Sequence, residues 1–475
     1  MSEESSAARE EARPGERGGG ARGVDERTYG TCVALLHREL VCALGCTEPI
    51  ALAYAAALAS AALGEPAERA MARCSGNIIK NVKSVAVPNA EGMRGVKAAV
   101  TLGIVGGDPR AKLEVLQSVT HRDVERTREL VEGGFCDVEL VEGVPNLYVK
   151  VEVAGGAHRA SVTLVDRHTN VTQVTRDGVE LVTDEVDRLC PGALGAGDCH
   201  QPGNAPEPDP DEGAQVDMDL LTVASICRFA RTVDLDDVRD VLERQIACNS
   251  AISREGLENH WGSEIGRTIL ATRPIDVTNR MRARAAAGSD ARMGGCSLPV
   301  VINSGSGNQG ITVSMPVIEY AETIHAPHDD LLRALCLSNL AALHLKRYIG
   351  SLSAFCGVVC AAAGAGAAVT FLSGGTDDQV GSTIVNTMAN VGGIMCDGAK
   401  ASCAAKIASA VDAAMLGHQM AMLSEDFCAG DGLVADDVET TIMSMGYVGR
   451  VGMRDTDVEI LNIMIGKTCP EDMRC

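Results

Sequence analysis

Three cysteines toward the C-terminal end of the chain, Cys356, Cys396 and Cys403, sit in glycine- and alanine-rich apolar runs that supply thiolates with few competing charges. That pattern suggests an iron–sulfur cluster. Three thiolates on a four-iron cube leave one iron with an open position, which is what a Lewis-acid catalyst needs. Cys396 and Cys403 are seven residues apart in MCDGAKASC, so a helix there would carry both sulfurs on one face. Cys356 would arrive from a separate helix, in AFCGVVC. The spacing is not a C-x-x-C array, and small buried cysteines in tight helix packing would leave the same trace.

Four further groups could do chemistry beside those thiols. In GCTEPIALAYAAALA, residues 45–59, Cys46 precedes a helix N-terminus, where unsatisfied amides and the macrodipole favour a thiolate that can act as base, nucleophile or ligand. Thr47 as a plain helix cap with an inert Cys46 is the competing reading. In CSGNIIKNVKSVAVPN, residues 74–89, Ser75, Gly76 and Asn77 can form a turn whose amides point at a small carboxylate, with Lys80 and Lys83 close by; an ordinary solvated turn has the same composition. NSGSGNQGITVSMP, residues 303–316, sets Ser306, Gly307, Asn308 and Gln309 in one glycine-rich loop, where the backbone can approach a ligand and the side chains can bond a carboxylate or an amino group. It is neither a Walker loop nor a dinucleotide fingerprint. His168 in DRHTN and His344 near Lys346 and Arg347 are possible proton carriers, although a lone histidine is more often structural.

The elements that must position these groups can be read along the chain. With 475 residues and 46% hydrophobic content, the protein can bury one large core or several smaller ones. Aromatic residues make up 3%, so the core must be built from Ala, Val, Leu, Ile and Met, which favours close helix packing. The expected fold is mainly α with an inserted α/β unit, the helical catalytic core being assembled from N- and C-terminal parts. Residues 1–26 read as a disordered tail. Residues 27–108 form the first helical part, with Pro49 suited to the first turn of an alanine- and leucine-rich helix. A small α/β unit follows over 109–187, with helices at 110–118 and 121–132 and strand-like runs Asp137–Val141, Leu147–Val153, Ala160–Asp166 and Asn170–Val174. Residues 188–216 read as a linker or surface loop, and 217–475 as the helical part carrying the three cysteines.

Composition narrows the function classes. The net charge of -22 and the lack of a long basic run speak against nucleic acid as a partner and call for local positive groups around any anionic substrate. Eighteen cysteines scattered through apolar stretches of a long chain point to a reducing cytoplasm rather than a disulfide framework. The N-terminus has no secretory pattern and no stretch reads as membrane-spanning; Phe355 to Leu372 reads as a buried core helix. So much apolar helix is compatible with a homodimer.

Taken in order, GCTEPIALA, CSGNIIKNV, GNQGITVSMPV, FCGVVCAA, GIMCDGAKASCAAKIASA and GYVGRVGMRDTD resemble the L-cysteine desulfidase family, a relative of the α part of iron–sulfur L-serine dehydratase. The resemblance runs over about residues 28–467 and leaves out the N-terminal tail and the acidic segment near 190–215. It implies an oxygen-sensitive [4Fe-4S] cluster and no pyridoxal phosphate, with Cys356, Cys396 and Cys403 as ligands and Cys46 next to the substrate. It also implies the conversion of L-cysteine to pyruvate, ammonia and sulfide. On that basis the amino-acid substrate would be clamped by the 75–77 turn and the 304–309 loop, with Cys46 as base. One departure is the ending GKTCPEDMRC, whose Cys475 could reach the open iron. Two other readings remain at this point: a dehydratase acting on L-serine, and a non-enzymatic zinc or thiol-redox regulatory protein using the same cysteines.

Overall fold

A computed structural model describes residues 23–194, 216–350 and 352–468. Most of the expected tail, most of the acidic segment, and Cys469 and Cys475 lie outside the described residues. The fold is mainly α with an inserted α/β unit, as the sequence predicts.

The helix Thr47–Leu63 organises the first half. It is apolar on every side, and nearly all its residues are buried, so it cannot lie on a surface. One flank packs on the sheet and another on the helix Gly95–Gly106. The approach to that second helix is close: a Cβ on Gly103 would stand 2.3 Å from the Ala53 carbonyl oxygen, so only glycine fits there. Buried side chains of this helix such as Leu52 and Leu58 each contribute about 1.5–3 kcal/mol of transfer free energy to folding.

Eight strands are described: β1 Cys42–Leu44, β2 Arg69–Cys74, β3 Cys136–Leu140, β4 Tyr148–Gly155, β5 His158–Val165, β6 Val171–Arg176, β7 Val179–Glu180 and β8 Pro299–Val301. Six form one sheet in the order β3-β2-β4-β5-β6-β7, antiparallel except for the β2–β3 pair. Val149, Val151 and Val153 alternate inward along β4, the two-residue period of a half-buried strand. The strands β3 to β6 fall where the sequence pattern puts them. The strand β2 does not, since RAMARC is made of good helix formers inside a stretch read as helical. Pairing on both edges, with β3 and with β4, overrides that preference, so the sheet recruits residues 69–74 from the first helical part. The remaining pair, β1 with β8, ties the segment before Cys46 to the segment before the 303–309 loop, matching Cys42 with Val301.

The second half is a layered helical bundle. The helices Val277–Gly294, Gly307–Thr323, His328–Ile349, Val358–Leu372, Asp377–Val391 and Cys403–Met422 pack on one another through alanine and glycine faces. The Phe355–Leu372 stretch is the buried core helix expected, beginning at Val358. Among the described residues no helix is long and apolar enough to cross a membrane.

The two-turn helix expected between Cys396 and Cys403 is absent. Gly393 and Gly398 adopt φ of +95° and +93°, which stops the preceding helix at Val391 and leaves a loop up to Cys403, the first residue of the next helix. A backbone bridge brings the sulfurs together instead. The Cys356 amide donates to the Ile394 carbonyl at 2.9 Å and the Cys396 amide to the Ala354 carbonyl at 2.6 Å.

Candidate active site

Those two amide bonds lay Cys356 and Cys396 side by side, close enough for their thiols to hydrogen-bond. Cys403 enters from the start of its helix, and all three side chains line one cavity of about 370 Å3. The hydrogen bond from Cys356 lowers the Cys396 thiol pKa; burial opposes this, while Lys80, the Gly398 amide and Lys406 reinforce it. Cys356 is pushed up by the same hydrogen bond and by burial. Gly357 and Gly398 also line the cavity: a Cβ on Gly398 would meet the Lys80 backbone carbonyl at 2.4 Å, where no side chain fits, and one on Gly357 would press on the Gln309 side chain, 2.6 Å from its Cδ. Soft thiols converging on one cavity, with Lys80, Lys346 and Lys406 near enough to offset thiolate charge, are a donor set suited to an iron–sulfur cluster. Among the described residues no three His, Cys, Asp or Glu side chains converge into a site for a single metal ion.

Across the cavity, Cys46 caps the Thr47–Leu63 helix by position, but its sulfur makes no cap bond. It donates instead to Glu48 Oε2 at 3.0 Å. Burial first, and then the Glu48 carboxylate, push the thiol well above its ordinary pKa, with Arg292 opposing. The thiolate expected from the helix N-terminus is therefore not what this environment favours. Glu48 is buried as well, which alone would raise its pKa; His168, the Cys46 hydrogen bond and Arg292 outweigh burial and hold the carboxyl below its usual value. Asn81 Nδ2 donates to Glu48 Oε1 at 3.0 Å, and the Thr47 hydroxyl lies 3.1 Å from Oε2 and 3.0 Å from the Gly305 carbonyl.

His168, on the loop joining β5 and β6, stands near enough to this carboxylate for their charges to interact. It lines the cavity, its Nε2 is buried without a hydrogen-bond partner, and burial pushes its pKa down, Glu48 opposing and Arg292 adding. From the bundle side, the helix Gly307–Thr323 starts at the cavity with no side-chain cap at Ser306. Ser306, Asn308 and Gln309 line the space, and the buried Asn308 Oδ1 and Gln309 Oε1 accept no hydrogen bond. Gly307 does not line it; its bare Cα gives room to Arg292.

Not every predicted residue meets here. Ser75, Gly76 and Asn77 are not among the cavity-lining residues. The Ser75 hydroxyl donates to the Asn146 carbonyl at 2.6 Å, and Gly76 packs under Leu461 of the helix Arg454–Ile465, where a Cβ would come within 2.2 Å. The short helix that this turn starts, Gly76–Val82, contributes Lys80 and Asn81 to the cavity instead. Lys80 also pairs with Asp457, while Lys83 bonds the Met464 carbonyl. His344 is fully buried with Nε2 2.7 Å from Glu439, a contact between two bundle helices. Sequence reasoning passed over Glu48 and Arg292. An acid in the first turn of a helix and a base in the last turn are what helix dipoles ordinarily attract, so neither residue stood out.

A family model described as serine dehydratase alpha chain matches residues 110–462. The chain belongs to this family. The match bears out the relation to the α part of serine dehydratase expected from the motifs. It takes in the three clustered cysteines, His168, Arg292 and the 303–309 loop, while Cys46 and Glu48 precede it. The chain is also 46% identical over 437 residues to a UPF0597 protein of Lachnoclostridium phytofermentans, which covers 92% of this chain and 100% of the relative. UPF0597 proteins of Finegoldia magna (45% identity, 91% and 99% covered) and Desulfitobacterium hafniense (44%, 93% and 98%) are similar.

Proposed function

We propose that the protein is a carbon–sulfur lyase that converts L-cysteine to pyruvate, ammonia and sulfide, using a [4Fe-4S] cluster and no pyridoxal phosphate. The observation that carries this reading is a single cavity lined by three thiols together with buried, unpartnered polar atoms of Asn308, Gln309 and His168. Cys356, Cys396 and Cys403 would hold the cluster, which when bound supplies a Lewis-acidic iron able to accept the leaving sulfur.

The protein's own residues supply the rest. Asn308 Oδ1 and Gln309 Oε1 accept from the substrate ammonium, and that fixes the Cα–H direction. His168, kept neutral by burial, removes the α-proton at its free Nε2. Glu48, already bound by three neighbouring side chains, stays ionised and steadies the imidazolium that results. Cys46 donates to Glu48 and keeps it in place, so His168 takes the role of base expected of the Cys46 thiolate. The Cα–H and Cβ–S bonds break, sulfide departs, and the aminoacrylate left behind tautomerises and hydrolyses to pyruvate and ammonia.

The family description favours one second reading, dehydration of L-serine by the same machinery with hydroxide as leaving group. Anaerobic kinetics on both amino acids separate the two. A kcat/KM for L-cysteine well above that for L-serine supports the desulfidase, and the reverse order overturns it.

A further inference from the structure

The geometry points to Arg292 as the anchor for the α-carboxylate of the substrate, which restricts the enzyme to amino acids whose carboxyl group is free. This inference rests on the lyase reading above. Arg292 is 2% exposed yet lines the cavity. Burying a guanidinium without a counter-ion is costly, and among the described residues Arg292 forms no ion pair. Among the described residues its one hydrogen bond runs from Nε to the Gly45 carbonyl at 2.7 Å. That bond orients the side chain and leaves Nη1 and Nη2, a planar pair of donors spaced for the two oxygens of a carboxylate.

The neighbouring glycine shows that the site is built around this side chain. A Cβ on Gly307 would stand 2.3 Å from Arg292 Nε and 2.8 Å from Cζ. Glu48 does not fill the vacant position: its charge is felt by Arg292, but among the described residues the two form no ion pair or hydrogen bond, and the Glu48 oxygens face Cys46, Thr47 and Asn81. Beside the guanidinium begins the 17-residue helix Gly307–Thr323, whose first amides lack a side-chain cap. Asn308 Oδ1 and Gln309 Oε1, both 6% exposed as residues and unpartnered, stand at the same place. Cationic donors next to bare acceptors match a zwitterion. A cysteine whose carboxyl is tied in a peptide bond would leave Arg292 buried and unpaired, so peptide hydrolysis has to precede this enzyme on any dipeptide that carries cysteine at its N-terminal position.

The test is calorimetric titration of the anaerobically purified, cluster-loaded protein with L-alanine, which has no leaving group, and with L-alaninamide, which lacks the carboxylate charge. Loss of a charge-assisted pair should weaken binding about 10–100-fold, so the wild type should prefer L-alanine by that factor. Arg292→Gln should bind both ligands within a few-fold of each other, and Arg292→Lys should keep part of the preference. Equal binding of the two ligands by the wild type overturns the assignment without any variant. So does an Arg292→Gln protein, with an unchanged cluster spectrum, that still prefers L-alanine. Failure of the lyase reading looks different: the alanine preference and its loss in Arg292→Gln are observed, but neither L-cysteine nor L-serine is consumed.

Discussion

Adding one methyl group at Gly398 should empty the cluster site from a position that supplies no ligand. This residue stands between Cys396 and Cys403, has φ of +93°, and would place a Cβ 2.4 Å from the backbone oxygen of Lys80. An L-residue in that left-handed region costs about 1–2 kcal/mol. The clash is with backbone, which cannot swing aside as a side chain would, and overpacking of this kind adds about 1–3 kcal/mol. Gly398→Ala should therefore cost about 2–5 kcal/mol locally, a shift of one to several powers of ten toward a displaced loop. Gly393→Ala is the matched control, because it has nearly the same φ, +95°, and nothing within 4 Å of the added atom. It should lose only the conformational part. The assay is iron and acid-labile sulfide per chain after anaerobic reconstitution, read with urea unfolding. Gly398→Ala should bind little iron while Gly393→Ala binds as the wild type does. Equal, full cluster loading in both variants would refute the reasoning.

Other outcomes follow from the same geometry. His168→Asn should lower kcat about 100- to 10,000-fold with an unchanged cluster spectrum. In the wild type, burial holds His168 below its ordinary 6.5, so the acidic limb of kcat/KM should be centred below 6.5; a limb centred above 6.5 contradicts the assignment. Cys46→Ser keeps a donor for Glu48 and should remain active, whereas Cys46→Ala should lose about 10–100-fold; an inactive, cluster-loaded Cys46→Ser would return the base to Cys46. Away from the cavity, Cys42 and Cys248 lie with sulfurs 4.0 Å apart, and the hydrogen bond from Cys42 lowers Cys248 to about 7 against the effect of burial. Iodoacetamide at pH 8 should label Cys248 faster than the buried Cys336, and Cys42→Ala should slow it; peptide mass spectrometry reads both.

How far the sequence went depended on whether the deciding force was local. The Thr47–Leu63 helix and the Val358–Leu372 core helix are long, unbroken apolar runs rich in alanine, and β3 to β6 carry the alternation of half-buried strands, so each was legible. The strand β2 was not, because its residues prefer helix and only two partner strands distant in sequence make it extended. A helix through MCDGAKASC failed for the opposite reason, since Gly398 within it and Gly393 just before it are local signals whose weight the seven-residue spacing concealed. In the site, the thiols and the 303–309 loop stood out by residue type. Ser75 to Asn77 looked like a second loop of that kind, but Ser75 and Gly76 are turned toward Asn146 and Leu461 by tertiary packing. Glu48 and Arg292 matter because they are buried, and burial of a single charged side chain leaves no mark in one sequence. His168 was visible as a residue, yet its place beside Glu48 depends on the sheet packing against the Thr47–Leu63 helix.

The most direct measurement of the central claim is sulfide and pyruvate release from L-cysteine by the anaerobically purified protein, followed before and after exposure to air. The account predicts equal amounts of the two products, turnover in proportion to cluster content, and loss of both when air destroys the cluster. A fully cluster-loaded protein that releases neither product, or a cluster-free protein that releases both at the same rate, would contradict it.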